Sequence, residues 1–406
     1  MESIFKIKNL KSLPSDVQVV FVGTFLTRTA YFMVWPYMSV LFYRKFGISA
    51  TYIGGILTCA TMLGAITGIY SGYFSDKFGR RWMIVLGAGV GTAAFFLMAY
   101  ATSIEFYLIS ISLVSIGNSA MESASRALIG DRIDDKRLRE FCFYARYLTI
   151  NVGVSCGAVL GVLLGLSGGN LAFLFTSAIY LGYFALLLVK LPSVGSTKNP
   201  VRKKEIGFST TCLTIFTSKT FLILLLSNTA TVFVYAHFNS TLIQFMTRSG
   251  APDLMTRISI LVTINAITVI FGQFPLMRLL ERFEPISRII LGVSLIGIAQ
   301  LFFAYSPIHL IGVWILATII LSIGELVSLP TFGVEVDRST PNGLRGTYFG
   351  ASNLYNLGYA FAPVVGGLSL DHIGGSTFYT LLSLICLAVV LVNRNFYKRV
   401  EVAKTM

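Results

Sequence analysis

Charged side chains inside apolar stretches are the residues of this sequence best suited to carry chemistry. Arg28, Glu122, Arg126 and Glu325 each lie in an apolar run long enough to cross a bilayer. An ionisable side chain inside a membrane segment costs roughly 2.5–3.5 kcal/mol on insertion scales, so such residues are typical of substrate and ion pathways. Arg28 lies about twelve residues into its run, which is about 18 Å of helix and places it near the middle of a bilayer.

The two acids of this set are the predicted proton-coupling groups. A carboxyl group in a low-dielectric cavity can bind a proton and release it as its surroundings change. Glu325 has no basic residue three or four positions away, which favours a proton carrier; the alternative is a polar residue hydrogen-bonded across helices. Glu122 lies four residues before Arg126 and so on the same helix face. It is either a second proton carrier or one half of a structural ion pair.

Other polar residues of the apolar runs are candidates for a substrate cavity. Arg28 either binds the anionic group of a substrate or neutralises a glutamate of another helix. His237 titrates near neutrality and is a candidate proton relay, or else a hydrogen-bonded core residue. Arg28 and Arg126 are predicted to line the cavity with the following uncharged residues, each of which has packing as its alternative role: Tyr31, Trp35, Asn118, Tyr235, Asn265, Tyr355 and Asn356.

The composition shows which elements must position these residues. Of the 406 residues, 55% are hydrophobic and 12% are charged, and the mean hydropathy is +0.75. Soluble domains average about 25% charged residues, so an all-α membrane protein is predicted. A phosphate-binding P-loop, an H-E-x-x-H motif and a nucleophile elbow are missing from the sequence, which argues against a primary pump or an enzyme. The twelve predicted transmembrane spans lie near 17–42, 50–72, 82–101, 106–130, 141–166, 170–190, 219–246, 257–280, 286–305, 308–333, 347–369 and 375–395.

The distribution of lysine and arginine predicts the orientation in the membrane. If the N-terminus is cytoplasmic, 25 of the 32 basic residues fall in inside segments and four in outside loops. Basic residues concentrate in cytoplasmic loops, so both termini are predicted to be cytoplasmic. The same rule accounts for the net charge of +14 without a nucleic-acid partner. The five cysteines form no C-x-x-C pair, so we expect no metal site and no cofactor.

The chain is also predicted to be a repeat of two pseudo-symmetric halves. A shift of 205 residues aligns Leu86-Gly87 with Leu291-Gly292. The same shift aligns Gly153 with Gly358 and Gly161 with Gly366. Repeats of this kind are common in transporters, whose substrate sites lie between the halves. The expected organisation is a six-helix bundle at 1–191, a cytoplasmic linker at 192–218 and a second six-helix bundle at 219–406.

A short polar turn between spans 2 and 3 carries the most specific motif. It reads G-x-x-x-D-K-x-G-R-R over residues 72–81, and neither flanking helix can carry it through hydrocarbon. The turn resembles the loop 2–3 signature of the major facilitator superfamily. That resemblance implies a charge network that closes the cytoplasmic side of the protein. The alternative is that its basic residues only anchor the orientation. The predicted gate residues are Gly72, Asp76, Gly79, Arg80, Arg81, Asp131 and Arg139.

Span 5 carries glycine at every fourth position, at Gly153, Gly157 and Gly161. Such spacing clears one helix face for close helix packing. The run resembles the G-x-x-x-G-P-x-x-G-G motif of drug:proton antiporters, with Ala158 in place of the proline and Val162 in place of the last glycine. A second copy follows in span 11, where Pro363 and Gly366 are predicted packing residues. Tight packing without any antiporter role is the alternative.

These patterns together predict a proton-coupled secondary transporter with two pseudo-symmetric six-helix bundles. The resemblance to the drug:proton antiporter branch implies export of small amphipathic compounds in exchange for protons. A proton-coupled symporter for an anionic metabolite, peptide or siderophore-like ligand is the second hypothesis. A non-transporting receptor of the same fold is the third. The expected partners are a small-molecule substrate, protons and the lipid bilayer, in a monomer of a bacterial inner membrane.

Overall fold

The computed structural model describes residues 7–35, 38–48, 50–163, 170–191, 207–250, 252–341 and 343–405, and these are almost entirely helical. No β-strand occurs within these ranges. A backbone in lipid must satisfy its N–H and C=O groups internally, which a helix does. The helices are α1 (Ser15–Val34), α2 (Met38–Phe46), α3 (Ala50–Phe78), α4 (Arg80–Tyr100), α5 (Ile104–Arg132), α6 (Lys136–Leu163), α7 (Asn170–Lys190), α8 (Phe208–Thr217), α9 (Lys219–Ala236), α10 (Thr241–Arg248), α11 (Leu254–Leu280), α12 (Pro285–Tyr305), α13 (Ile311–Ser339), α14 (Arg345–Ser352), α15 (Asn356–His372) and α16 (Gly375–Thr405).

Ten helical segments in the described part of the chain are long and apolar enough to cross a membrane. The predicted spans 5 and 11 are not among them. Helix α6 covers span 5, but it begins with Lys136, Arg137, Arg139 and Glu140. Helices α14 and α15 cover span 11, and a 3₁₀ turn at Asn353–Tyr355 separates them. With these two, the predicted all-α membrane protein of twelve spans is confirmed.

Two predicted spans, 7 and 11, consist of two helices each, although hydropathy suggested single continuous ones. Span 1 contains α1, which ends at Val34, and α2, which begins at Met38, with residues 36–37 outside the described residues. Span 7 is interrupted between Ala236 and Thr241, and span 11 at the 3₁₀ turn. Each break spans only three or four residues, so a hydropathy average over a whole span does not register it. Interrupted helices are tolerated at membrane depth where protein surrounds the freed backbone groups.

Backbone contacts divide the chain into two compact units. The first unit comprises Lys6–Ser218 and Ser339–Leu354, and thus holds α1–α8 and α14. The second unit comprises Lys219–Arg338 and Tyr355–Met406, which hold α9–α13, α15 and α16. Of the predicted linker, residues 192–206 lie outside the described residues. Its remainder forms α8, whose Phe208 ring stacks on Tyr70 at a centroid distance of 4.6 Å.

The predicted repeat recurs in the helix packing inside each unit. In the first unit, a Cβ atom added to Gly87 of α4 would lie 2.6 Å from the carbonyl oxygen of Gly117 in α5. In the second unit, a Cβ atom added to Gly292 of α12 would lie 2.7 Å from the carbonyl oxygen of Gly324 in α13. Each pair requires glycine because any side chain would meet backbone of the facing helix. Gly87 and Gly292 align under the shift of 205 residues, and their partners Gly117 and Gly324 lie within two residues of that alignment.

The glycines of span 5 face α1. A Cβ atom on Gly153 would lie 3.1 Å from the carbonyl oxygen of Phe25, and one on Gly157 would overlap the carbonyl of Thr29. Gly161 is buried in the same helix. This close approach brings the side chains of α6 and α1 together.

The second unit contains the equivalent contact of α15 with its first helices. A Cβ atom on Gly358 would lie 2.6 Å from the carbonyl oxygen of Thr229 in α9. One on Gly366 would overlap the side chain of Thr241 in α10. Pro363 lies inside α15, between these two glycines.

Candidate functional site

Three helices of the first unit place three arginines around one glutamate. Arg28 Nη2 of α1 donates to Glu122 Oε2 at 3.0 Å. Arg146 of α6 binds both oxygens of the same carboxylate, at 3.0 Å from Oε1 and 2.7 Å from Oε2. Arg126 Nε lies 3.3 Å from Glu122 Oε1, one helical turn along α5. We call Arg28, Glu122, Arg126 and Arg146 the arginine cluster. It carries three positive charges and one negative charge.

The arginine cluster borders a small cavity inside the first unit. The cavity volume is about 20 Å³, the space of roughly one water molecule. Exposure of the arginine side chains falls from 29% for Arg28 to 9% for Arg126 and 7% for Arg146. The cavity is lined by Gly23, Thr24, Thr27, Arg28, Tyr31, Asn118, Met121, Glu122, Ser125, Arg146, Tyr180 and Tyr183.

Arg126 also binds residues at the end of α14. Its Nη2 donates to Asn353 Oδ1, and its guanidinium lies over the Phe349 ring, 5.3 Å from the centroid. Asn353 Nδ2 in turn donates to Ser119 Oγ of α5 at 3.2 Å. These contacts hold the Arg126 side chain in one orientation, with its charge directed between Glu122 and Asn353.

The predicted gate acid Asp76 binds the N-terminus of α14. Its Oδ1 accepts the backbone N–H of Gly346 at 3.0 Å. Its Oδ2 accepts the backbone N–H of Thr347 at 2.7 Å and the Thr347 hydroxyl at 2.6 Å. The first N–H groups of a helix have no partner inside the helix, and an anion there is favoured by the helix dipole. Asp76 therefore caps α14 from the end of α3.

Two arginines extend this contact to a second acid. Arg80 Nη1 lies 2.5 Å from Asp76 Oδ1, and Arg80 Nε donates to Asp131 Oδ2 at 2.9 Å. Arg345 Nη1, at the start of α14, donates to Asp131 Oδ1 at 3.1 Å. We call Asp76, Arg80, Asp131, Arg345 and Thr347 the Asp76 network. Four of its five members are charged, and they alternate in sign through space.

The other predicted gate residues lie around this network in different roles. Gly72 faces the Gly346 backbone so closely that a Cβ atom would overlap it. Gly79 has φ +99°, a backbone conformation that favours glycine, where α3 turns into α4. Arg81 donates to the carbonyl oxygen of Leu188 at 3.0 Å, and Arg139 to that of Ile133 at 2.8 Å. These two arginines thus bind backbone carbonyls at the ends of helices.

Glu325 lies in α13 of the second unit and is 2% exposed. Asn265 Nδ2 of α11 donates to Glu325 Oε2 and to Ser322 Oγ, both at 2.9 Å. The Tyr235 phenol is a further polar neighbour of the Glu325 carboxyl group. We call Glu325, Asn265, Ser322 and Tyr235 the Glu325 site. Its hydrogen-bonding groups named here are neutral, in contrast to the arginines around Glu122.

The remaining predicted site residues are distributed over both units. Tyr31 stacks on Trp35 at 4.7 Å, with an interplanar angle of 22°. Asn118 Oδ1 accepts the Tyr180 hydroxyl at 3.0 Å beside the arginine cluster. Tyr355 and Asn356 are half-buried where α15 begins.

His237 is fully buried in the turn between α9 and α10. Its Nδ1 lies 2.7 Å from Thr241 Oγ1. The rings of Phe233 and Phe378 pack edge-on against the imidazole at 4.7 and 4.8 Å. This predicted proton relay therefore sits between two phenyl rings.

Sequence reasoning missed three residues that the structure brings into these sites. Arg146 lies near the start of span 5, and its two bonds to Glu122 were not foreseen. Arg345 aligns with Arg139 when the shift is 206 residues, one more than the shift given above, which was an available signal for a role beside Asp131. Thr347 carries no sequence signal, since a lone threonine in an apolar span is common.

Comparison with known proteins agrees with this architecture. A family model described as Major Facilitator Superfamily matches residues 20–356. The uncharacterized MFS-type transporter YqjV of Bacillus subtilis is 30% identical over 368 residues, covering 90% of this chain and 89% of that protein. Multidrug resistance protein 1 of the same organism is 24% identical over 352 residues, covering 85% and 87%.

A solved structure shows the same fold. The crystal structure of the Escherichia coli fucose:proton symporter FucP has a TM-score of 0.75 with 16% identity, covering 94% of this chain and 98% of that one. The polar turn at 72–81, the twelve spans and the internal repeat are thus accounted for together. The chain is an integral membrane transporter for small molecules, rather than an enzyme, and belongs to the Major Facilitator Superfamily.

Proposed function

We propose that this protein is a proton-coupled secondary transporter that exports small amphipathic compounds in exchange for protons. The observation that carries the proposal is the Glu325 site. A carboxyl group that is only 2% exposed in a transmembrane helix is energetically costly. Residues of this kind are typical of functional sites. Its amide and phenol neighbours, Asn265 and Tyr235, can hydrogen-bond either protonation state of the carboxyl group, because each both donates and accepts. Such a shell suits an acid that must gain and lose a proton in every cycle.

The names of similar proteins support both parts of this proposal. The Bacillus subtilis relative named multidrug resistance protein 1 supports export of amphipathic compounds. The structural neighbour FucP is named a proton symporter, which supports the proton as coupling ion on this fold. The glycine run of span 5 resembles that of drug:proton antiporters, which favours exchange over symport.

Among the three predicted proton-coupling residues, we assign the proton to Glu325. Glu122 is tied to three guanidinium groups within 3.3 Å, and we assign it the role of their counter-ion. His237 contacts two phenyl rings and a threonine, so we assign it a packing role in the turn between α9 and α10.

We further propose that the Asp76 network is the cytoplasmic gate. Asp76, Arg80 and Asp131 match the family signature, and their bonds to the N-terminus of α14 would have to break when the cytoplasmic side opens. Several charge-assisted hydrogen bonds acting together make one state stable without making it permanent. The network would act as a reversible latch of the cytoplasmic side during alternating access.

Reconstitution into proteoliposomes tests the function. An acid-inside pH gradient is imposed, and the uptake of ethidium, chloramphenicol, norfloxacin and salicylate is recorded with a lumenal pH dye. We expect substrate uptake together with lumenal proton exit for at least one compound. Lumenal acidification during uptake would select the symport alternative. A complete lack of ligand-coupled proton movement, in liposomes that hold the gradient, would refute the proposal.

A further inference from the structure

We infer that the arginine cluster of the first unit is a receptor for the anionic head group of the transported compound, and that Arg28 is the residue that binds it. This inference rests on the proposed transport function and names the substrate class of its cavity. A carboxylate attached to a planar aromatic body is the ligand chemistry that fits.

The cluster holds more positive charge than its glutamate can balance. Both oxygens of Glu122 already accept from guanidinium groups, Oε1 from Arg146 and Oε2 from Arg28 and Arg146. The charged residues that line the cavity are Arg28, Arg146 and Glu122, so the lining carries a net positive charge. Buried charge in excess is costly, and a bound anion would remove that cost.

The three arginines differ in how far their side chains are exposed. Arg146 is bidentate on Glu122, and Arg126 is held by Asn353 and the Phe349 ring. Arg28 has the most exposed side chain of the three, at 29%, and it lines the cavity. A guanidinium group binds a carboxylate through two parallel hydrogen bonds, which requires an accessible edge. Arg28 is therefore the arginine best placed to take a ligand.

A buried donor points to the same conclusion. Arg146 Nε is buried without a hydrogen-bond partner within the described part of the chain. A buried donor without a partner is unfavourable, and an acceptor on a ligand would remove that cost. This buried Nε–H of Arg146 is a second observation, besides the charge surplus, that favours a bound anion. Arg146 also lines the cavity.

The cavity lining suggests what the anion is attached to. Tyr31, Tyr180 and Tyr183 line the cavity, and Tyr31 stacks on Trp35. Aromatic side chains around the cavity favour a planar apolar body next to it through stacking. The volume of about 20 Å³, roughly that of one water molecule, admits one carboxylate oxygen and not the apolar body itself, so the cluster recognises a single functional group. An amine or quaternary ammonium head would be repelled by the surplus of arginines.

A charge series on one ring tests the inference. Benzoate, benzamide and benzylamine are titrated by calorimetry into the full-length protein in detergent, at pH 7 and low salt. We expect benzoate to bind at least about tenfold more tightly than either of the others. Equal affinity for benzoate and benzamide, or a preference for benzylamine, would overturn the inference without any variant.

Variants assign the preference to Arg28. Arg28→Gln should abolish the preference for benzoate, and Arg28→Lys should weaken it while keeping its sign. Arg257→Gln is the matched control, because it also removes one positive charge but from a residue that donates to the carbonyl oxygen of Ile308. A full preference retained in Arg28→Gln, or an equal loss in Arg257→Gln, would show that Arg28 is not the receptor.

The two proposals fail separately. Binding in detergent needs no proton gradient, so benzoate selectivity without gradient-driven flux would refute proton coupling and leave the anion receptor standing. Gradient-driven transport of ethidium or chloramphenicol, together with no selectivity for benzoate, would refute the receptor and leave proton-coupled transport standing.

Discussion

Asp76 and Thr347 are 271 residues apart in the sequence and share two hydrogen bonds through one carboxylate oxygen. Asp76 Oδ2 accepts the Thr347 backbone N–H at 2.7 Å and the Thr347 hydroxyl at 2.6 Å. The acid thereby binds both a side chain and an otherwise unpaired helix N–H. It thus joins the end of α3 to the start of α14 inside the first unit.

Replacing Asp76 by asparagine tests whether this contact acts in the transport cycle. In Asp76→Asn the charge that favours the N-terminus of α14 is lost, a contribution of about 0.5–2 kcal/mol. We expect transport to fall by about tenfold or more while expression stays near normal. Turnover in proteoliposomes, normalised to folded protein, is the measurement. Asp134→Asn, an exposed acid nearby, is the control, and near wild-type turnover in Asp76→Asn would remove the acid from the gate.

A second prediction concerns the glycine face of α6. In Gly157→Leu the new side chain would meet the backbone of Thr29 in α1, so both folding and transport should decrease. Gly182→Leu is the matched control, because an added Cβ atom at Gly182 meets no atom within 4 Å. Thermal stability in detergent and transport are compared for the two variants. Equal stability would show that α6 and α1 can separate at no cost.

The third prediction concerns the proposed proton carrier. Glu325→Gln mimics the protonated acid and keeps a group that Asn265 and Tyr235 can bind. We expect it to abolish gradient-driven transport while leaving ligand binding and gradient-independent exchange measurable. Glu284→Gln, whose side chain is 78% exposed in the same unit, should transport normally. Full gradient-driven transport by Glu325→Gln would exclude Glu325 as the proton carrier.

Glu122→Gln should behave differently from Glu325→Gln. It leaves Arg28, Arg126 and Arg146 without their shared carboxylate, and breaking a buried ion pair costs about 3–5 kcal/mol. We expect a lower Tm in detergent, together with loss of binding as well as transport. Glu105→Gln, exposed at the start of the same helix, should leave the Tm unchanged. If Glu122→Gln keeps its Tm and loses only coupling to the gradient, the assignment of the proton to Glu325 is wrong.

The sequence alone determined the class, the number of spans and the family. Hydropathy predicts spans well because lipid leaves the backbone no partner other than its own helix. The pair Glu122 and Arg126 was also predictable, since residues four apart share one face of a helix. The glycines at 87 and 292 were predicted as a repeat, and each has the same kind of contact in its own unit.

Only the tertiary structure decided which helices bring their charges together. Glycines at positions 153 and 157 let α6 approach α1, and this approach places Arg146 and Arg28 on the same carboxylate. The start of α14 packs in the first unit, so Thr347 reaches Asp76. Spacing along one helix fixes that helix's own faces, but the rotation and register of its partner depend on side-chain packing between helices. These partners were therefore not predictable from one sequence.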